Sequence, residues 1–168
     1  VFPAAILQAP FFDEHADIAV NYGGIGGVIG HEMGHGFDDQ GAKSDDRGVL
    51  RKWWNEEDEK RFKALTARLA DKYSTFEVLP DLNVNGQLTL GENVGDNGGL
   101  SVAYEAYQRS LGGKPAEAID GYSGDQRFYL GWAQIYRTKL RDEALRSLVT
   151  SDPHSPPEFR VNGVVPNQ

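Results

Sequence analysis

Seven glycines (Gly23, Gly24, Gly26, Gly27, Gly30, Gly34 and Gly36) lie between Asn21 and Asp38, in the segment that also carries His31-Glu32-Met33-Gly34-His35. The H-E-x-x-H spacing asks for a helix, because four helical residues turn through about 400° and return His35 to the face of His31. Imidazoles so placed have Cβ atoms roughly 5–6 Å apart. Each can then offer a nitrogen to one Zn²⁺. Yet each interior glycine costs a helix about 1 kcal/mol relative to alanine. Such a helix does not stand alone; close packing and a bound metal have to hold it. Any fold open to this chain must bury this segment.

Glu32 sits one residue round from His31, poorly aimed as a ligand but able to reach a water on the metal as a general base. Two plainer readings compete. Surface histidines on an amphipathic helix would show the same spacing, but Val28 and Ile29 make the flank apolar. Gly24-x-Gly26-x-x-x-Gly30 has the look of a dinucleotide loop, but no convincing buried strand precedes it and its last glycine runs straight into His31-Glu32. A metal site is the better reading.

The 168 residues suit one domain with a real core. A net charge of −8 with no basic face argues against nucleic acid as a partner. The absence of cysteine removes disulfides, thiolate zinc sites and cysteine nucleophiles together, and leaves the compartment open. The uncharged run from Ile18 to Gly30 is shorter than the roughly 17–25 residues of a membrane span, so no span is expected. No signal peptide is visible, and the opening Val1-Phe2-Pro3-Ala4-Ala5-Ile6-Leu7 suggests a piece of something longer.

Along the chain, Val1–Leu7 reads as a short edge strand, Gln8–Phe12 as a loop, and His15 among acids as a solvated side chain. Asn21–Asp38 reads as the metal helix. Asn55 followed by Glu56, Glu57 and Asp58 marks a helix start, with Phe62, Leu65, Leu69, Tyr73 and Phe76 as its apolar stripe. Asn83–Gln87 predicts a tight turn between extended pieces. Thr89-Leu90-Gly91-Glu92 has the form of a capping box, which gives Glu92 a plain structural role. Glu92 and Asp96 share a helix face, Gly98-Gly99 admits a close neighbour, and Leu100, Ala103, Tyr104, Tyr107 and Leu111 continue a buried stripe. Ser123 and Gln126 cap a long helix predicted to run to about Thr150, and Glu158–Val165 reads as a returning strand.

Five stretches together carry a resemblance: Val1–Gln8, Asn21–Gly26, Val28–Gln40, Leu88–Asn93 with Asp96–Leu100, and Asp152-Pro153-His154-Ser155-Pro156. In this order they resemble the catalytic C-terminal part of the neprilysin family of zinc metallopeptidases, which includes endothelin-converting enzymes and bacterial oligopeptidases. The resemblance implies an α+β, predominantly α-helical, thermolysin-like (gluzincin) catalytic domain spanning residues 1–168. It also implies a zinc endopeptidase cleaving short peptides on the N-terminal side of hydrophobic residues.

By the same resemblance, His31, His35 and Glu92 hold one Zn²⁺ per chain and Glu32 activates the attacking water. Asp96, and with it Asp38, orients a ligand imidazole, as metal-bound histidines ordinarily require. His154, held by Asp152, stabilises the oxyanion, although a lone histidine in a polar loop is otherwise a solvated side chain. Arg160 grips a substrate carbonyl with its fork of donors, where the plain alternative is a surface salt bridge. Ile6, Phe11, Val28 and Tyr136 line the pocket for the residue after the scissile bond. Gly27 replaces a common methionine, which should widen that pocket, and Tyr136 replaces a tryptophan, which should make it more polar.

Family members are several times longer. An N-terminal lobe, an Asn-Ala-aromatic-Tyr strand and a final C-terminal helix have no counterpart here, so this chain is expected to be a fragment. Peptide substrates are the expected partners. The missing lobe, or self-association through the apolar surface it would cover, comes next. The resemblance favours a bacterial, extracytoplasmic setting. The alternative function is a truncated zinc-binding remnant with little turnover unless joined by its other half.

Overall fold

The fully buried Leu100, Tyr107, Phe128 and Trp132 form the centre of the main core, and the helices lie where these side chains need partners. The computed structural model describes residues 1–168. Its α-helices are α1 (Ile18–Asn21), α2 (Gly27–Gly34), α3 (Glu56–Ser74), α4 (Leu90–Ser110), α5 (Gly124–Ile135), α6 (Asp142–Ser151) and α7 (Pro157–Asn162). One antiparallel hairpin, β1 (Glu77–Leu79) with β2 (Leu82–Asn83), supplies the only sheet. No helix is long and apolar enough to cross a membrane.

α1, a π-helical turn (Tyr22–Gly26) and α2 follow one another without a break, and His35 caps the C-terminal end of α2. The expected helix to Asp38 is thus too long. The chain turns away after His35 because the Asp38 carboxylate accepts the N–H groups of Gln40 at 2.8 Å and Gly41 at 2.7 Å, closing a turn instead of another helical one. Glycines let α5 press on the first part of this segment. A Cβ on Gly23 would overlap the Phe128 carbonyl, and one on Gly131 would stand 2.6 Å from the Val20 carbonyl oxygen.

Asn55 caps α3 as expected, its side chain accepting the Asp58 N–H at 2.8 Å. The buried residues of α3 are Thr66, Ala70 and Tyr73; of the predicted stripe Tyr73 is buried, Phe62 and Leu69 are half-buried, and Leu65 is exposed. Gly86 has to lack a side chain, since a Cβ there would overlap the Ala70 carbonyl. Phe76 falls beyond the helix and stacks on Phe159 with ring centres 5.0 Å apart.

Four further expectations are corrected. Val1–Leu7 is no strand: Ala4–Ile6 forms a 3₁₀ turn closed by Ile6 N–H on the Pro3 carbonyl at 3.0 Å. The hairpin turn sits at Pro80-Asp81, where Asp81 takes φ +67°, and not at Asn83–Gln87. The helix capped by Ser123 and Gln126 ends at Ile135, and Leu145 belongs to the separate α6. Glu158–Val165 is not extended: it is helical to Asn162, where Pro157 at the first position has its φ preset for α7, and then turns into a 3₁₀ turn at Val165–Asn167.

Candidate metal centre

α2 and α4 cross on a ladder of glycines. A Cβ on Gly30 would overlap the Gly99 carbonyl, and one on Gly34 would touch Gly95 Cα at 3.4 Å. Both helices repeat glycine at a four-residue interval, so each rung falls on the crossing line and the backbones close to contact. That approach carries the His31–His35 face onto the first two turns of α4, where Glu92 and Asp96 point back.

The two rings stand edge to face with centres 4.6 Å apart. Each is held at Nδ1 by a carboxylate: His31 by Asp96 at 2.7 Å and His35 by Asp38 at 2.8 Å. Both therefore turn Nε2 towards Glu92, at 3.2 Å from His31 and 3.7 Å from His35. The Asp96 contact is bent out of the His31 N–H direction, and that nitrogen has no well-aligned acceptor. The predicted capping role of Glu92 is not realised, since Thr89 makes no cap and its hydroxyl donates instead to the Asn85 carbonyl.

A neutral imidazole whose Nδ1–H serves a carboxylate presents a lone pair at Nε2. Two such lone pairs face one carboxylate, and its buried Oε2 has no aligned donor. Acceptors gathered like this repel unless a cation lies among them, so these residues fit a metal ion. Without one, a proton takes that place. Burial alone would lower the His31 pKa, but the Asp96 and Glu92 carboxylates beside the ring raise it to about 9. Burial would raise the Glu92 carboxyl, yet His154 and His31 hold it far below the carboxylate range.

Glu32 is also near: its carboxylate and the two histidines offer ligand atoms within 4.8 Å of one another. It is the more exposed of the two glutamates, on the open side. His154 joins from the loop before α7, its Nδ1 on Asp152 at 2.8 Å and its Nε2 on Glu92 Oε2 at 3.0 Å. The Glu92 carboxylate beside it outweighs burial and raises the His154 pKa.

Arg160 is neither a surface salt bridge nor a free donor. It gives Nε and Nη2 to the two oxygens of the fully buried Asp96, at 2.8 and 2.7 Å, and lies over the Tyr136 ring at 4.7 Å. Nη1 is the remaining arm of the fork.

The residues expected to form a substrate pocket are less closely gathered. Tyr136 packs on Trp132 at 4.8 Å, Val28 lies on α2 one turn before Glu32, and Phe11 meets the π-turn through its carbonyl, which accepts the Ile25 N–H at 2.8 Å. Ile6 ends the 3₁₀ turn. The widening expected at Gly27 does not occur, because a Cβ there would stand 2.7 Å from the Trp132 ring, which already fills the space. His15 is exposed, as expected, and lies apart from the centre beside Glu14.

Sequence reasoning missed the latch that seats the His154 loop. Ser155 Oγ donates to Asn93 Oδ1 at 2.8 Å, and Asn93 Nδ2 donates to Thr89 Oγ1 at 2.9 Å, all of them buried. Asn93 directly follows Glu92 and Ser155 directly follows His154, so one hydrogen bond joins the two halves of the centre. The only signal in the sequence is that each of these two polar residues stands directly beside a site residue.

The profile of peptidase family M13 matches residues 1–168. An endothelin-converting enzyme homologue of Locusta migratoria is 46% identical over 99% of this chain and 23% of its own length. Human endothelin-converting enzyme 1 is 44% identical over 99% of this chain and 22% of its own. The crystal structure of the Mycobacterium tuberculosis zinc metalloprotease Zmp1 with an inhibitor superposes with a TM-score of 0.93 at 57% identity, over 98% of this chain and 26% of that one. The chain spans about a quarter of the length of these proteins.

Proposed function

The chain belongs to peptidase family M13, and from that premise we propose that it is the metal-bearing part of a zinc endopeptidase of the thermolysin-like kind. In this reading it cleaves short peptides on the N-terminal side of hydrophobic residues. The observation that carries the proposal is the convergence of His31, His35 and Glu92, with both imidazoles held from behind by carboxylates. These three residues would hold one Zn²⁺. Bound there, zinc supplies Lewis acidity to the scissile carbonyl and makes water a nucleophile near neutral pH.

The chain's own groups do the rest. Glu32, on the open side of the centre, is placed as the general base: it takes the proton of the attacking water and returns it to the leaving amine. Asp96 and Asp38 fix the tautomers of His31 and His35, and Arg160 holds the Asp96 carboxylate in plane with two hydrogen bonds. His154, oriented by Asp152, donates from Nε2 to the charge growing on the carbonyl oxygen. Arg160 Nη1 meets a substrate carbonyl, and Ile6, Phe11, Val28 and Tyr136 receive the side chain after the cleaved bond. A bacterial, extracytoplasmic setting belongs to the same proposal.

Replacing Glu32 by Gln tests it. The variant keeps zinc, measured by elemental analysis, and loses cleavage of quenched peptides; full activity with zinc bound would overturn the mechanism. The chain's quarter share of its relatives favours a second reading, in which it binds zinc but turns over little until joined by the remainder. Chelator-sensitive cleavage by the purified chain removes that reading.

A further inference from the structure

A cavity of about 620 Å³ lies between α3 and the segment Leu50–Trp54, within the roughly 300–1,000 Å³ of small-molecule sites. None of His31, His35, Glu92 or His154 lines it. Its apolar surface comes from Leu50, Trp54, Phe62 and Leu90, with Trp54 and Phe62 edge to face at 4.9 Å. Its lining is net basic on a chain of net charge −8: Lys43, Arg51, Lys52 and Lys63 stand against Asp39 and Glu59, with Arg51 also paired to Asp45 and Lys43 donating to Gln40.

Glu59 is shared between Lys52 and Lys63, with Nζ 2.6 Å away in both cases. One carboxylate cannot neutralise two ammonium groups, and each ammonium has three N–H donors of which this contact uses one. A net positive charge with free donors thus stands at the rim of an apolar hollow. One wall donor, Trp54 Nε1, is buried without a hydrogen-bond partner, a need that an acceptor such as a carboxylate can meet. Such groups are rare in a finished interior.

We propose that this cavity is a second ligand site, separate from the metal centre, for a small amphipathic carboxylate. An aromatic or branched aliphatic body packs on Trp54, Phe62 and Leu90, and the anionic head meets Lys52 and Lys63. A cation of the same shape is rejected, because it would bring like charge to the two lysines. The assignment is independent of the catalytic reading, since it uses none of the residues proposed for catalysis.

The test is a titration of the zinc-loaded chain with 1-naphthoate and, separately, 1-naphthylmethylammonium, followed by ¹H–¹⁵N NMR. Naphthoate is expected to bind saturably with shifts in residues 50–54 and 59–67, at least tenfold more tightly than the ammonium analogue. Lys52→Ala with Lys63→Ala weakens it at least tenfold, and Ala67→Trp, which fills the hollow, abolishes it. Both sets of changes leave zinc content unaltered. Equal binding of the two probes, an unchanged affinity in the lysine variant, or shifts centred on His31 and Glu92 would each overturn the assignment.

Discussion

Gly30 and Gly99 meet backbone to backbone where α2 crosses α4. A Cβ on Gly30 would overlap the Gly99 carbonyl oxygen and stand 2.9 Å from its carbon. The obstacle is main chain, which cannot swing aside as a flexible side chain would. Gly30→Ala must therefore part the helices, at or above the upper end of the ~1–3 kcal/mol usual for overpacking. Since the crossing also sets the reach from His31 to Glu92, stability and metal binding should fall together. Urea unfolding and a zinc competition assay check the pair; a variant with unchanged unfolding midpoint would contradict the ladder's role.

Asp38 and Asp96 hold equivalent nitrogens on the two histidines but differ in what stands behind them. Losing a carboxylate that orients a ligand imidazole typically lowers metal affinity about 10- to 100-fold. Both Asp38→Asn and Asp96→Asn should do so. Only Asp96→Asn also strands the half of an ion pair, the guanidinium of Arg160, whose side chain is 15% exposed. Breaking a buried pair from one side costs about 3–5 kcal/mol. Zinc affinity should thus drop in both variants, and metal-free stability far more in Asp96→Asn than in Asp38→Asn.

Ser155→Ala tests the latch between the halves of the centre. It leaves Asn93 Oδ1 buried without its donor, a loss of about 1–3 kcal/mol. The loop bearing His154 should loosen while His31, His35 and Glu92 stay put. Peptidase activity is then expected to fall with zinc content unchanged. A fall in zinc content equal to that in activity would show that the latch supports the metal ligands instead.

What could be seen in the sequence was whatever local spacing determines. The His31–His35 turn, the Asn55 cap, the Ser123–Gln126 box and the shared face of Glu92 and Asp96 all depend on residues within four positions of one another. What was hidden depends on partners far along the chain. Glu158–Val165 looked extended because its apolar residues were read without the proline that starts α7. Gly27 looked like an opening because nothing in its own segment announced that Trp132, over a hundred residues later, fills the space. The glycines were legible as a cost but not as a ladder, since each rung needs a glycine from the other helix.

Glu59 links stability to acid and to the second cavity. Hydrogen bonds from Lys52 and then Lys63 lower its pKa from 4.5 to about 2. A carboxylate with a depressed folded-state pKa contributes stability that is complete above its unfolded pKa and is lost as pH falls through the folded one. The unfolding midpoint of the wild type should thus exceed that of Glu59→Gln by a constant amount above pH 4.5, with the gap closing as pH approaches 2. Salt should shrink it at every pH, because the groups are exposed and screened. The same substitution unmasks Lys52 and Lys63, so it should tighten naphthoate binding while weakening the fold. A midpoint difference that persists at pH 2, or an unchanged naphthoate affinity, would mean the two lysines are not held by this carboxylate.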